Sequence, residues 1–290
     1  MTSLNEFCFN HRMRVRWPEV DAQKVVFNGH YLTYLDTAIS EYWRTVGLPY
    51  PEGLAHLHGD VFVRSNALQY HAPARLDDWL DIGLRCERIG RSSITMVWTI
   101  RANGRQLVSG ETVYVFTTLG VARSTPVPDA LRLQIACHAQ GKPVHALQCG
   151  TWSVMEQGAR AVRTAVFIEE QSIDEAEEWD DEDAGACHAV VSNLAGLALA
   201  TGRLITQGLG LAPGQAKIGR MAVLRSSRGV GLGQQVLQAL MAQARTQGVS
   251  DLSLHAQTSA QAFYQRVGFL PEGPVFDEVG IPHIVMSLKL

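Results

Sequence analysis

A chain of 290 residues, 46% of them apolar and 18% charged, is long enough for one large domain or two medium ones and too apolar to be disordered. Its net charge of -3 argues against a general nucleic-acid binder, and no apolar run reaches the length a bilayer requires. Five scattered cysteines, Cys8, Cys86, Cys137, Cys149 and Cys187, form no C-x-x-C pair. With no basic-then-apolar leader, the expectation is buried or incidental thiols in a cytoplasmic protein.

From His11 to Trp17 residues alternate, which predicts a strand with His11, Met13, Val15 and Trp17 on one face and Arg12, Arg14 and Arg16 on the other. Pro18 ends it. After a loop from Glu19 to Phe27, Asn28 is placed to cap a helix whose apolar stripe is Tyr31, Leu35, Ala38, Tyr42 and Val46. Gly47 stands just past the helix end with Pro49 beyond, so the helix is expected over 29–46. Segments 60–71, 79–88, 92–101 and 106–118 then read as strands, with Asn103-Gly104 a hairpin signal between the last two. One long helix and a run of antiparallel strands make an α+β pattern, the sheet curled round the helix.

The run Trp17-Pro18-Glu19-Val20-Asp21-Ala22-Gln23-Lys24-Val25-Val26-Phe27-Asn28-Gly29-His30-Tyr31-Leu32 resembles the opening of hotdog-fold acyl-CoA thioesterases of the 4-hydroxybenzoyl-CoA thioesterase type. The likeness continues through Ala72 to Leu80 and Ile89 to Ser93, covering nearly all of 7–137. By this resemblance Asp21 is the catalytic carboxylate, and Arg91 and Ser92 lie at the turn that holds coenzyme A. Physically, a carboxylate at a helix mouth can attack a thioester carbonyl or activate water, while N–H groups around Asn28 to His30 stabilise the oxyanion. A loop cap or surface ion pair is the plainer role for Asp21, and a solvated turn for Arg91 and Ser92. Asn28 departs from the family's usual Tyr or His and would alter the substrate pocket. His30 replaces the usual Asn, as a second polar catalytic group or as a structural hydrogen-bonding residue. The resemblance also implies a homodimer or homotetramer, because hotdog enzymes pair their sheets.

Thr125-Pro126-Val127-Pro128-Asp129 breaks structure, and Ala130, Leu131, Leu133, Ile135 and Ala136 suggest a short helix closing a first domain at 137. A linker is expected over 138–149 and a second domain over 150–290. A fresh strand is expected to start at Trp152 to Met155, with helical character over 156–167. The acidic tract from Asp174 to Asp183 reads either as solvated surface or as an attractor for an amine. Strands led by His188 and by Leu197 follow. His188 and His283 lack ligand-type spacing, so no metal is expected.

The most telling stretch is a short apolar run ending Met221-Ala222-Val223, then Arg228-Gly229-Val230-Gly231-Leu232-Gly233-Gln234, then a helical stripe of Val236, Leu237, Leu240, Met241 and Ala244. Glycines at a helix mouth let an anion approach unpaired N–H groups at the positive end of the dipole. Neither a Rossmann spacing nor a P-loop Lys-Ser/Thr is present. The Arg-x-x-Gly-x-Gly order resembles the acetyl-CoA pyrophosphate loop of GNAT acetyltransferases. Phe263-Tyr264-Gln265-Arg266-Val267-Gly268-Phe269, the segment Arg163 to Gln171 and the ending Gly280 to Met286 extend that likeness over 150–290. By resemblance the loop Arg228 to Gln234 binds the pyrophosphate, Met221, Ala222 and Val223 offer backbone groups to the pantetheine arm, and Tyr264 protonates the departing thiolate. Glu170, Asp183 and His255 remain open as the base.

The expectation is a two-domain α+β chain, a hotdog domain followed by a GNAT mixed α/β fold. It would hydrolyse acyl-CoA and transfer acetyl from acetyl-CoA to an amine. The alternative is an acyl-CoA-sensing or dimerisation module on a GNAT domain, with one or both domains inert.

Overall fold

A computed structural model describes residues 7–290 apart from Ala122 and Leu209. The chain divides into two compact units, Met1–Val144 and His145–Leu290. In the first, β1 (Phe9–Arg14) precedes the long helix α1 (His30–Thr45) and the short α2 (Glu52–His56). Then come β2 (Gly59–Tyr70), β3 (Trp79–Ile89), β4 (Ser93–Ala102), β5 (Arg105–Thr118) and α3 (Asp129–Ala139). The strands form one antiparallel sheet in the order β1-β3-β4-β5-β2. Period-two alternation puts Leu80, Ile82 and Leu84 of β3 in the core, where α1 contributes Tyr31, Tyr34, Leu35, Ala38 and Tyr42. A sheet curled on one central helix is the hotdog arrangement. Asn103 and Gly104 join β4 to β5 with φ of 50 and 77, the paired left-handed conformations such a turn demands.

Two details of this unit differ from the sequence reading. β1 stops at Arg14, because Trp17–Glu19 with its proline forms a single 3-10 turn. Trp17 is 79% exposed rather than on a buried face, and Glu19 takes the inward place. At the helix, Gly29 is the N-cap instead of Asn28, whose side chain makes no capping bond, so α1 starts one residue late.

The second unit opens with β6 (His145–Thr151) and α4 (Trp152–Arg163), which continues as a π-helical turn over Thr164–Glu170. Short helices α5 (Glu175–Glu178) and α6 (Glu182–Gly185) lead to β7 (Cys187–Asn193), β8 (Ala198–Ile205) and β9 (Gln215–Val223). After α7 (Leu232–Thr246) come β10 (Asp251–Gln257), α8 (Gln261–Gln265), β11 (Leu270–Glu278) and β12 (Ile281–Lys289). The sheet order is β11-β12-β10-β9-β8-β7-β6, with β9 and β10 parallel and every other pair antiparallel. The stripe Val236, Leu237, Leu240 and Ala244 of α7 packs on one face, against Ala189, Val191 and Leu204. Met155, Ala159 and Val162 of α4 cover the other, against Val190 and Ala198. This is the mixed GNAT sheet.

Trp152 to Met155 form the first turn of α4 and not a new strand, and residues 145–149, expected in a linker, belong to β6. β6 is an edge strand exposed at Ala146, Leu147 and Gln148, so no alternation betrays it. The acidic tract is not wholly solvated, because Glu178 and Asp183 are buried.

Candidate functional sites

In the second unit the site begins with a parting of strands. β9 and β10 pair only from Gln215↔Asp251 to Ile218↔Leu254. On its other edge β9 pairs with β8 at Gly219, then slips by a bulge before Ala222↔Thr201 and Val223↔Ala200. Arg220, at φ 52, takes the left-handed strain of that bulge. The backbone from Gly219 to Val223 therefore runs along an open wedge.

The glycine loop lies directly after it. Gly229 and Gly231 both have φ 87, a conformation a β-carbon disfavours, and Gly231 is the N-cap of α7. Among the described residues the N–H groups from Gly229 to Gln234 have no backbone or side-chain acceptor, and the first bond into the helix is Gln235 N–H to Gly231 carbonyl at 3.1 Å. Val230, Leu232, Gly233 and Gln234 thus sit where backbone donors and the helix dipole favour an anion. Arg228 is not free: it donates to both oxygens of Glu170 at 2.7 Å and to the Val223 carbonyl at 3.1 Å. The Arg228 guanidinium leads the effects that hold the Glu170 carboxyl below its usual range.

Between β9 and β10 is a cleft of about 380 Å³ lined by Phe167, Met221, His255, Gln257, Tyr264 and His283, among others. Tyr264 on α8 is 7% exposed and edge-packed on Phe263 and Phe269. Burial pushes its hydroxyl up to about 12, so it keeps its proton at neutral pH. His255 on β10 places Nδ1 2.9 Å from Glu278 Oε2. His283 lines the cleft with Nδ1 on its own strand's Ile281 carbonyl, whereas His188 is buried with Nε2 2.9 Å from the Asp183 carbonyl. Among the described residues no group of three or more His, Cys, Asp or Glu side chains is arranged to hold a metal.

A buried ionic cluster, unseen in the sequence, supports this cleft. Arg163, 1% exposed, pairs with Glu178 and, at 2.8 Å, with Asp183. Arg203 donates at 2.8 Å to Asp183 and also pairs with Asp180. Arg220 reaches Asp180 at 3.0 Å. The Trp179 ring lies 4.5 Å from the Arg163 guanidinium and 4.2 Å from that of Arg160. Burial raises the Glu178 carboxyl above its ordinary range despite the pull of Arg220, Arg163 and Arg203.

In the first unit Asp21 heads a tight hairpin, bridged at Val20 and Val26, with Lys24 at φ 65. Its Oδ1 accepts from Gln23 N–H at 2.8 Å and Val25 N–H at 3.5 Å, while Oδ2 has no donor among the described residues. Glu19, missed by the sequence reading, clamps this loop. Its carboxylate accepts at 2.7 Å from Arg16 N–H, Arg16 Nε and the Tyr34 hydroxyl, and its carbonyl takes Phe27 N–H at 3.0 Å. At the head of α1, His30 N–H bonds the Phe27 carbonyl, so only Asn28 and Gly29 of the expected oxyanion donors lack an acceptor among the described residues. The Asn28 carbonyl accepts from Tyr70 at 3.1 Å, and the His30 ring meets Phe27 edge-on. Arg91 and Ser92 form the β3–β4 turn. Arg132 braces it by donating to the carbonyls of Ile89 at 3.2 Å and Arg91 at 3.3 Å. No hydrogen bond among the described residues joins that turn to the Asp21 hairpin.

These two arrangements define a tandem protein: a hotdog unit with a carboxylate hairpin before its helix, then a GNAT sheet with a glycine loop at the mouth of α7. Residues 166–290 match the acetyltransferase (GNAT) domain, to which the chain belongs, and residues 23–109 match the thioesterase superfamily. It is 33% identical to the uncharacterized protein YyaT of Bacillus subtilis, over 46% of this chain and 87% of that one. With the uncharacterized N-acetyltransferase YjcF of the same organism it shares 35% identity, over 43% of this chain and 86% of that one. The crystal structure of a thioesterase from Thermus thermophilus, complexed with coenzyme A and Zn, is 30% identical, covering 48% of this chain and 98% of that one with a TM-score of 0.41.

Proposed function

We propose that the chain is a bifunctional acyl-CoA enzyme, hydrolysing acyl-CoA thioesters in its first unit and transferring acetyl from acetyl-CoA to an amine in its second. One observation carries the reading: the N–H groups from Gly229 to Gln234 have no acceptor among the described residues and adjoin the wedge between β9 and β10. A pyrophosphate on the loop lets the pantetheine arm run beside the backbone of Met221 to Val223. Within that wedge, the Ala222 backbone is committed to Thr201 and the Val223 carbonyl to Arg228. The amine attacks the acetyl carbon, the C–S bond breaks, and Tyr264 gives its proton to the departing sulfur. Titrating the full chain with acetyl-CoA by calorimetry, then assaying thiol release with amines, tests this half.

In the first unit, Asp21 Oδ2 takes a proton from the attacking water, or attacks the thioester carbonyl to give an anhydride that water then hydrolyses. Either way the C–S bond breaks and coenzyme A leaves as the thiol, its proton coming from water. The N–H groups of Asn28 and Gly29 polarise the carbonyl, and the Arg91–Ser92 turn receives coenzyme A. A second reading, an acyl-CoA sensor or dimerisation platform without chemistry, is favoured by Asp21 Oδ1 already capping its own turn. Thiol release from an acyl-CoA panel separates the two. The edge strand β2 shows Phe62 at 52% and Tyr70 at 52% exposure, which supports a homodimer through this unit, measurable by sedimentation of the full chain.

A further inference from the structure

We propose that His255, held by Glu278, is the base that takes the proton from a primary amine entering the cleft as an ammonium ion. This rests on the acetyltransferase reading of the same cleft. Three groups were open for the role. Glu170 has both oxygens on Arg228. Asp183 is 4% exposed and has its Oδ1 on both Arg163 and Arg203. Each carboxylate has both oxygens occupied by guanidinium groups, and neither lines the cleft.

His255 is placed differently. It follows Leu254, the last residue of β10 paired to β9, so it stands where the strands part. It lines the cleft together with Tyr264. Glu278 Oε2 lies 2.9 Å from Nδ1 and the Phe276 ring packs edge-on at 5.0 Å, so the imidazole is braced on two sides. With Nδ1–H donated to the carboxylate, Nε2 carries the lone pair, and Nε2 has no partner among the described residues. The other charged groups lining the cleft are Glu177 and Glu178 from α5, Arg203 from β8, Lys217 and Arg220 from β9 and His283 from β12. Phe167 and Ile173 leave part of the wall apolar, which suits an aromatic amine as a probe.

The proton count closes. The ammonium gives one proton to Nε2, which passes it to solvent, and the freed lone pair forms the C–N bond. When the C–S bond breaks, Tyr264 protonates the sulfur and is restored by the second proton leaving nitrogen. The products are an amide, free thiol and one proton. Glu278 acts as a positioning residue through Nδ1.

The test uses the full chain, acetyl-CoA, and two acceptors: benzylamine, protonated at neutral pH, and aniline, which is not. His255→Asn should lower kcat/KM for benzylamine roughly a hundredfold or more, the usual worth of a positioned base. It should lower the aniline rate far less and leave acetyl-CoA binding by calorimetry unchanged. Glu278→Ala should shift the two rates in the same unequal way, with Glu278→Gln partly restoring the benzylamine rate. Equal loss on both amines, or no loss, overturns the base while the transferase reading stands. Wild type that transfers to neither amine overturns the amine class and that reading together.

Discussion

The Arg228 guanidinium meets both oxygens of Glu170 at 2.7 Å, tying the glycine loop to the end of the π-helical turn. An arginine expected to face a pyrophosphate is thus held by a carboxylate, and phosphate and carboxylate compete for one fork. Glu170→Gln should therefore tighten acetyl-CoA binding, whereas Arg228→Ala should weaken it roughly tenfold or more, the worth of one charge-assisted contact. Calorimetry on the full chain reads both. Equal weakening by the two would show that the pair only braces the loop.

Gly231 offers a separate handle. A β-carbon there meets no atom within 4 Å, but φ 87 strains any L side chain. Gly231→Val should cost about 1–2 kcal/mol of stability through backbone conformation. It should cost acetyl-CoA affinity further, by crowding the donors. Thermal melts with and without ligand separate the two effects, and a ligand-induced shift equal to that of wild type would refute the second.

For the hotdog unit, Asp21→Asn keeps the oxygen that caps Gln23 N–H and removes the charge. Acyl-CoA hydrolysis should fall by at least about a hundredfold with an unchanged melting profile. Retained turnover assigns Asp21 to the turn alone.

Glu19 gives a pH signature. Burial raises its carboxyl, but hydrogen bonds from the Arg16 N–H, the Tyr34 hydroxyl and the Arg16 guanidinium outweigh that and hold it below the ordinary glutamate range. A depressed acid stabilises the fold above its unfolded value and loses that contribution as pH falls through the folded one. The stability gap between wild type and Glu19→Gln, from urea unfolding, should be largest near neutrality and close in acid. A gap independent of pH contradicts the assignment.

Arg163 should be among the costliest side chains to remove. Arg163→Met leaves Glu178 and Asp183 buried without their shared cation, a loss of about 3–5 kcal/mol. Denaturant titration checks it, and a loss under about 1 kcal/mol would mean that Arg203 and Arg220 compensate.

What the sequence revealed was local. The stripe of α7, the glycines before it and the Asn103-Gly104 turn are each encoded within a few residues, and each stands where the sequence placed it. The misreadings lie where the partner is distant. Nothing near Glu178 or Asp183 announces that arginines at 163, 203 and 220 will enclose them, so an acidic run looks like surface. Trp17 alternates with its neighbours as a buried residue should, yet the turn at Pro18 exposes it and brings in Glu19, whose partner Tyr34 is on the helix. Apolar periodicity finds faces; it does not find paired charges.

The parting of β9 from β10 has a consequence for the lifetime of the protein. From Gly219 to Val223 the edge of β9 that faces away from β8 has no strand pairing among the described residues, in the middle of a seven-stranded sheet. On the proposed reading the coenzyme's arm fills that gap, so part of its binding free energy is folding free energy. Linkage would add about 2.7 kcal/mol at a ligand concentration a hundredfold above Kd. Scarcity of acetyl-CoA would then leave this unit in its least stable form, the one most open to proteolysis, and tie the abundance of the protein to the supply of its own substrate.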